Sequence, residues 1–127
     1  MRPTDTWICV ADRERANFYR CDGPGAVVQP LVDVSVGHGH HHTKQNGLAA
    51  ERFAGAVASR IERAVDGHLF DHLVLVAPLP VLSALDSALK PGTRRMIVDK
   101  IDKNLIRATP RELVTHIRDA LPHAHGS

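Results

Sequence analysis

The sequence predicts an α/β domain, with a mixed β-sheet of about five strands and helices packed on its faces. The first observation is length, because 127 residues make one domain, which we place at residues 1–127. The second is composition: 43% of the residues are hydrophobic but only 4% are aromatic, so Val, Leu, Ile and Ala must fill the core. The third is the hydrophobic pattern, which starts with strand-like runs and then alternates between helical and strand-like segments.

The first third of the chain predicts three consecutive strands. Thr6–Ala11 is a compact apolar run with β-branched and aromatic residues, and residues 16–21 alternate weakly between apolar and polar. Residues 22–25 give a strong turn signal with two glycines and a proline. Residues 27–36 predict the third strand, in which Pro30 indicates an edge position or a bulge.

The pattern then changes to a helical period. In residues 48–65 the apolar positions lie mostly three or four apart, which predicts the longest helix of the chain. Asn46 is the expected N-cap, and Gly67 is the expected left-handed residue after the helix. His72–Ala77 is almost wholly apolar, which is typical of a central strand buried on both faces.

The remainder predicts a second helix at residues 81–89, a last strand at residues 96–101, for which a helix is the alternative, and a final helix. Thr109, Pro110 and Glu112 begin that helix with a capping box and a favoured proline. The complete order is βββ-α-β-α-β-α, which ribonuclease H-like folds share.

Charge and targeting signals limit the partners. The net charge of +2 is weak for a nucleic-acid binder, so any RNA contact must be local, and we expect no DNA partner. No segment approaches the ~18 apolar residues that a spanning helix needs, and the N-terminus is unlike a signal peptide. We therefore expect a cytoplasmic location and no membrane partner. Cys9 and Cys21 are too few for a disulfide scaffold and are interpreted as small buried hydrophobic residues.

Residues 37–47 contain no apolar residue and predict an exposed loop. His38, His40, His41 and His42 lie within it, and three of them would project to the same side of an extended chain. Imidazoles suit Zn, Ni or Cu, so His38, His40 and His42 are candidate metal ligands. No cysteine or carboxylate lies near enough in sequence to complete a structural site. We therefore expect no resident cofactor, only adventitious Zn or Ni.

A ribonuclease H-like order also raises a nuclease hypothesis, which requires several carboxylates around two metal ions. Asp12 ends the first strand, but residues 77–80 after the central strand contain no acid, and Asp71 lies at the wrong end of that strand. We do not expect nuclease activity. Asp12 and Arg13 are interpreted as a hairpin turn in which the aspartate bonds its own backbone.

The densest basic stretch contains Arg94 and Arg95, with Lys90 before them and Lys100 and Lys103 after them. Such a stretch is either a solvated surface or a phosphate contact, and the sequence leaves both open.

Several segments together resemble the host-attachment protein family. They are residues 6–13 (TWICVADR), 50–54 (AERFA), 70–78 (FDHLVLVAP), 102–105 (DKNL) and 109–113 (TPREL). These segments cover most of the chain and occur in the order found in the family. The resemblance implies the family's α/β fold and a kinship with the middle domain of archaeal and eukaryotic peptide-chain release factors.

The kinship with release factors rests on the start of the long helix. Gln45, Asn46 and Gly47 precede it where those factors carry a Gly-Gly-Gln loop. The Gly-Gly-Gln triplet itself is absent, so the resemblance leaves Gln45 only a weak catalytic candidate. Members of the family usually carry a long insertion before this helix, which is here reduced to residues 37–47.

These observations favour a non-enzymatic, release-factor-like binding module that acts on the ribosome or tRNA through the 37–47 loop. The candidate contacts are Lys44, Gln45, Asn46, Arg52, Arg94 and Arg95. One alternative is a degenerate peptidyl-tRNA or ester hydrolase working through Gln45, and another is a metal-binding protein that uses the histidine-rich loop. The sequence does not indicate an oligomeric state.

Overall fold

The computed structural model describes residues 5–21, 28–31, 36–37 and 46–117, and for residues 36–37 and 46–51 it describes the backbone alone. The elements are β1 (Thr6–Ala11), β2 (Arg15–Cys21), β3 (Gln29–Pro30), β4 (Val36–Gly37), α1 (Asn46–Asp66), β5 (His72–Ala77), α2 (Leu79–Ala88), α3 (Pro91–Arg94), β6 (Ile97–Asp102) and α4 (Pro110–Ile117). The α/β class is confirmed.

The strands form one mixed sheet in the order β3-β2-β1-β5-β6. β1 and β2 are antiparallel, whereas β1, β5 and β6 run parallel to one another. β4 pairs with the start of β2 and β3 pairs nearer its end, so these two short strands share one edge position. The sheet is therefore five strands wide, as predicted.

β5 is an interior strand. β1 lies on one side of it and β6 on the other, and its side chains from Leu73 to Ala77 are all fully buried. A strand covered on both faces has no solvent-facing positions, which explains why its sequence is apolar without alternation.

The two faces of the sheet carry separate hydrophobic clusters. One face packs against α1 and α2, and its largest residues include Phe18, Ile61, Phe70, Leu75 and Leu85. The other face packs against α4 and the segment before it; its members include Ile8, Val10, Tyr19, Val74, Val76, Ile106, Leu113 and Ile117. The domain thus has three layers, with the sheet in the middle.

The two turn motifs predicted from sequence have the expected hydrogen bonds. The Glu112 amide donates to the Thr109 hydroxyl at 3.1 Å, and the Thr109 amide donates to the Glu112 carboxylate at 2.9 Å, which completes the capping box. The Asp12 carboxylate accepts from the amides of Glu14 and Arg15, each at 2.8 Å, so Asp12 stabilises the β1–β2 hairpin.

The ends of α1 differ from the prediction. The helix already includes Asn46, so this residue opens the helix rather than capping it from outside. At the other end the left-handed residue is His68, with φ 55°, rather than Gly67. The amide of Leu69 bonds to the carbonyl of Ala64 and that of His68 to Val65, which places the left-handed position one residue later than the glycine.

The second helix begins earlier than predicted. α2 starts at Leu79, and Pro80 lies in its first turn, where a proline removes no helical hydrogen bond. Pro91 opens the short helix α3 instead of only ending α2. The predicted third strand is described as the two short segments β3 and β4, and residues 32–35 between them lie outside the described ranges.

Candidate functional site at the carboxyl edge of the sheet

The parallel strands β1, β5 and β6 all end at one edge of the sheet, which we call the carboxyl edge; they begin at the opposite, amino edge. β1 is followed by β2 on one side, while β5 is followed by β6 on the other. The chain thus leaves in opposite directions from two adjacent strands, which creates a topological switch point between β1 and β5. Open α/β sheets commonly bind ligands in the crevice at the carboxyl edge of such a point.

The two described residues that flank the histidine-rich segment (residues 38–45), Gly37 and Asn46, lie toward this edge. Gly37 at the end of β4 pairs with Arg15, next to the hairpin that follows β1. α1 ends near the amino edge, where the chain continues into β5, and its 21 residues extend about 30 Å. Its first turn therefore lies toward the carboxyl edge. The chain leaves β4 and enters α1 on the side of the sheet where the switch point lies.

The segment itself falls outside the described residues. His38, His40, His42, Lys44 and Gln45 all belong to it, so their predicted roles in metal or partner binding stay predictions. Asn46 is the first residue of α1, and its backbone alone is described. In the part of the chain that the structure does describe, no group of three or more His, Cys, Asp or Glu side chains could hold a metal ion.

The described candidate arginines do not lie together. Arg52 is exposed on the second turn of α1, whereas Arg94 and Arg95 lie in and after α3. Glu62 of α1 touches Thr93, the residue before Arg94, with a hydroxyl-to-carboxylate distance of 2.7 Å. Ten residues of helix separate Arg52 from Glu62, or about 15 Å. Arg52 therefore lies toward the carboxyl edge, and the arginine pair lies at the amino edge.

The basic stretch seen in the sequence is divided in the same way. Arg94 and Arg95 precede β6 and Lys103 follows it, and a strand of this length spans about 20 Å. Arg94 donates from Nε to the carbonyl of Asp86 at 2.9 Å, so one of its donors is already used within the protein. Lys103 lies at the carboxyl edge, where its Nζ is 3.4 Å from Nδ1 of His116.

The fold places two further cations at the carboxyl edge that were considered in the sequence but were not among the candidate contacts. Arg13 is exposed in the β1–β2 hairpin, and Lys103 is exposed after β6. A signal was available for both, because each lies two residues beyond the end of a predicted strand. Glu14 and Asp102 lie at the same edge and are exposed, so the charge there is mixed rather than strongly basic.

Two polar groups of β1 and its hairpin, the Asp12 carboxylate and the Cys9 thiol, are already committed to the fold. Both hydrogen bonds of Asp12 hold the hairpin, and β5 leads into Pro78 and the exposed Leu79 rather than into an acid. Cys9 is fully buried, and desolvation raises the pKa of its thiol to about 12, so it is protonated at neutral pH.

Chains of known structure support the fold. Twenty such chains match this one. One of them, described as an archaeal protein, has a TM-score of 0.56 at 10% sequence identity; the match covers 89% of this chain and 32% of that one. This chain thus spans about a third of the length of that structure. At this identity the likeness is one of fold alone.

The fold and the sequence comparison together define a small α/β domain with a mixed sheet and helices on both faces. The profile of a family described as "protein required for attachment to host cells" matches residues 33–117, about two thirds of the chain. The chain belongs to this host-attachment family. A search of curated proteins finds no match. None of the described helices combines the length and the apolar character needed to span a bilayer.

Proposed function

We propose that this chain is a non-enzymatic binding module, acting in the cytoplasm on the ribosome or on tRNA through residues 37–47 and the carboxyl edge. The observation that supports the proposal is the position of the residues that flank this segment: Gly37 pairs with Arg15 at the carboxyl edge, and α1 begins toward the same edge. The N-terminal end of α1 adds backbone amides that have no acceptor within the helix, which favour an anionic partner such as phosphate.

The proposal includes a kinship with the middle domain of release factors and a ribonuclease H-like arrangement of the sheet. The strand order β3-β2-β1-β5-β6, with β2 antiparallel to its neighbour and β5 and β6 parallel to β1, supports the second of these. On this view attachment to host cells, the property in the family's description, is an indirect consequence of an activity on RNA.

The test is co-sedimentation with ribosomes across a salt series. Binding through phosphate contacts weakens steeply as the salt concentration rises. Arg52→Glu should lower binding severalfold and should reduce the salt slope by about 1, because one cation at the carboxyl edge is lost. Arg63→Glu is the matched control, since it makes the same change on an exposed residue in the last turn of the same helix.

The outcomes separate the two edges of the sheet. If Arg52→Glu weakens binding and Arg63→Glu does not, the carboxyl edge is the contact surface. If the double variant Arg94→Glu with Arg95→Glu abolishes binding while Arg52→Glu leaves it intact, the contact lies at the amino edge and the proposed site is wrong. Absence of co-sedimentation at low salt would overturn the ribosomal proposal, and a filter-binding assay with tRNA would test the remaining partner.

A further inference from the structure

β6 forms one end of the sheet, and no described residue pairs with its outer side. Most of the strand is open to solvent: Asp99, Lys100 and Asp102 are exposed, and Val98 is 39% exposed. A strand edge of this kind presents unpaired N–H and C=O groups that can bond to another strand. β6 is therefore the best candidate for a second interaction surface, whose last residue, Asp102, borders the carboxyl edge.

The direction of these backbone groups follows from the pairing with β5. The Leu73 amide donates across to the carbonyl of Met96 at 2.9 Å, so Leu73 points its backbone groups toward β6. Every second residue of a strand directs its N–H and C=O groups to the same side, so Leu75 also directs them toward β6. The residue of β6 that lies opposite Leu75 is Lys100. In a parallel pair of strands, the residue opposite one that faces its neighbour directs its own backbone groups to the other side, here away from β5. Lys100 and Asp102 thus point their N–H and C=O groups away from β5. The Lys100 amide donates to the neighbouring Asp99 carboxylate at 2.8 Å, a bond that an incoming strand would replace.

Along β6, residues at equal distances before and after Ile101 carry opposite charges. Lys100 precedes it and Asp102 follows it, while Asp99 and Lys103 lie two residues away on either side. We propose that β6 pairs antiparallel with β6 of a second copy of this chain, about a two-fold axis at Ile101. Each Lys100 then lies opposite Asp102 of the partner subunit, and these two pairs also exchange the outward backbone hydrogen bonds.

Other registers are disfavoured by charge. A two-fold axis at Asp99, Lys100 or Asp102 would place that residue opposite its own copy, which sets like charges against each other. With the axis at Ile101, each charged residue lies opposite a residue of opposite charge, and the residue that lies opposite its own copy is uncharged. No other axis within the charged part of the strand does both. Charge therefore selects one register in a strand whose backbone alone would permit several.

A bulge limits the length of this contact. The register shifts between Leu73 and Val74, which leaves Val98 as an extra residue in β6. Beyond the other end, the Lys103 amide bonds back to the carbonyl of Ile101 at 3.0 Å, so the chain turns after Asp102. The regular edge is about four residues long. We expect a weak, reversible dimer that forms as the protein concentration rises.

The test is sedimentation velocity of the full chain at concentrations from roughly 10 μM to roughly 1 mM, a range that reveals weak association. The wild type should shift from monomer toward dimer. Lys100→Asp and Asp102→Lys should each raise the dissociation constant about tenfold, because each places like charges opposite one another at both symmetric pairs. Combining both changes in one chain should restore the dimer, since the pair is reversed but still complementary.

A mixture of the two single variants gives the sharpest result. A Lys100→Asp chain carries two acids at these positions and an Asp102→Lys chain carries two lysines, so they should form a heterodimer while each alone stays monomeric. Within one subunit Lys100 also contacts Asp86 at 3.3 Å. Asp86→Asn is the control. It removes that contact without changing any residue of β6, so it should leave dimer formation unchanged.

Three outcomes would overturn the proposal. The first is a wild type that stays monomeric over the whole range. The second is a dimer whose dissociation constant the single charge reversals do not change. The third is a pair of variants that neither associate in a mixture nor recover association in the double variant, while circular dichroism shows that both are folded. The measurement uses no RNA, so it is independent of the proposed ribosomal function.

Discussion

At the scale of single residues, the end of α1 holds a local strain. His68 has φ 55° and is exposed, whereas the neighbouring Gly67 is outside the left-handed region. A side chain with a Cβ is disfavoured at positive φ, and glycine is not. Replacing His68 with Gly should therefore raise the free energy of unfolding by roughly 0.5–1 kcal/mol, as measured by urea denaturation.

Two variants control for the loss of the imidazole and for the position of the glycine. His68→Ala keeps the strained Cβ, so it should give no gain. Gly67→Ala adds a Cβ whose nearest neighbours lie at an ordinary 3.6 Å, and it should be tolerated. A loss of stability in His68→Gly would mean that the imidazole contributes more than the strain costs.

Cys9 makes the stability of the fold depend on pH in the alkaline range. Burial raises the pKa of its thiol from 9.0 to about 12. The folded protein keeps this proton while the unfolded chain loses it, so the contribution is complete below pH 9.0 and declines as the pH rises toward 12. At pH 10 about 1.4 kcal/mol should be lost relative to pH 8.

The measurement compares urea denaturation of the wild type and of Cys9→Ala at pH 8 and pH 10. Burial also raises the pKa of Tyr19, and its contribution is common to both proteins. The difference between the two proteins should shrink by about the stated amount between the two pH values. An unchanged difference would mean that Cys9 is hydrated in the native state.

At the scale of elements, one carboxylate of α1 holds the start of the short helix α3. Glu62 accepts from the Lys90 amide at 2.8 Å and from the Thr93 hydroxyl at 2.7 Å. Thr93 is buried, so Glu62→Ala would leave its hydroxyl without this acceptor. The variant should lower the unfolding free energy by about 1–3 kcal/mol.

The control for net charge is Glu14→Ala, which removes a carboxylate from the exposed β1–β2 hairpin and should change stability by less than about 0.5 kcal/mol. A double-mutant cycle of Glu62→Ala with Thr93→Val isolates the hydroxyl–carboxylate bond. Additive effects of the two changes would show that the bond contributes nothing to stability.

The elements that the sequence predicts well are those with local signals. β1 and β5 have the predicted bounds because each is a continuous apolar run with polar residues or prolines around it, and α4 begins at its capping box. Contacts between residues that are far apart in the sequence leave no local pattern. Glu62 bonds to residues 28 and 31 positions away, so no short window of sequence contains the contact that holds α3.

At the scale of the whole molecule, the candidate site was only partly predictable. The segment 37–47 was selected from its composition, and the fold places its ends on the side of the switch point. Arg52, Arg94 and Arg95 were selected together, but Arg52 lies about 15 Å along α1 from Glu62, the residue that contacts the segment with Arg94 and Arg95. That two residues have the same charge or lie near each other in the sequence does not show that they reach the same edge of the sheet. Their positions depend on where each strand and helix ends.

The three-layer architecture predicts the most severe single substitution. Leu75 lies in the middle of β5, between β1 and β6, and is fully buried under α1 and α2. Leu75→Ala removes three carbons from a site that rigid strands on both sides keep from collapsing. The unfolding free energy should fall by about 2–5 kcal/mol, measured by urea denaturation.

Leu79→Ala is the matched control, because it removes the same atoms from a side chain that is 56% exposed at the start of α2. It should cost less than about 0.5 kcal/mol, since little apolar surface returns to water. The contrast tests the position of β5 rather than the chemistry of leucine. If the two substitutions cost the same, His72–Ala77 would not be an interior strand, and the carboxyl edge, which is defined by the ends of β1, β5 and β6, would lose one of its three members.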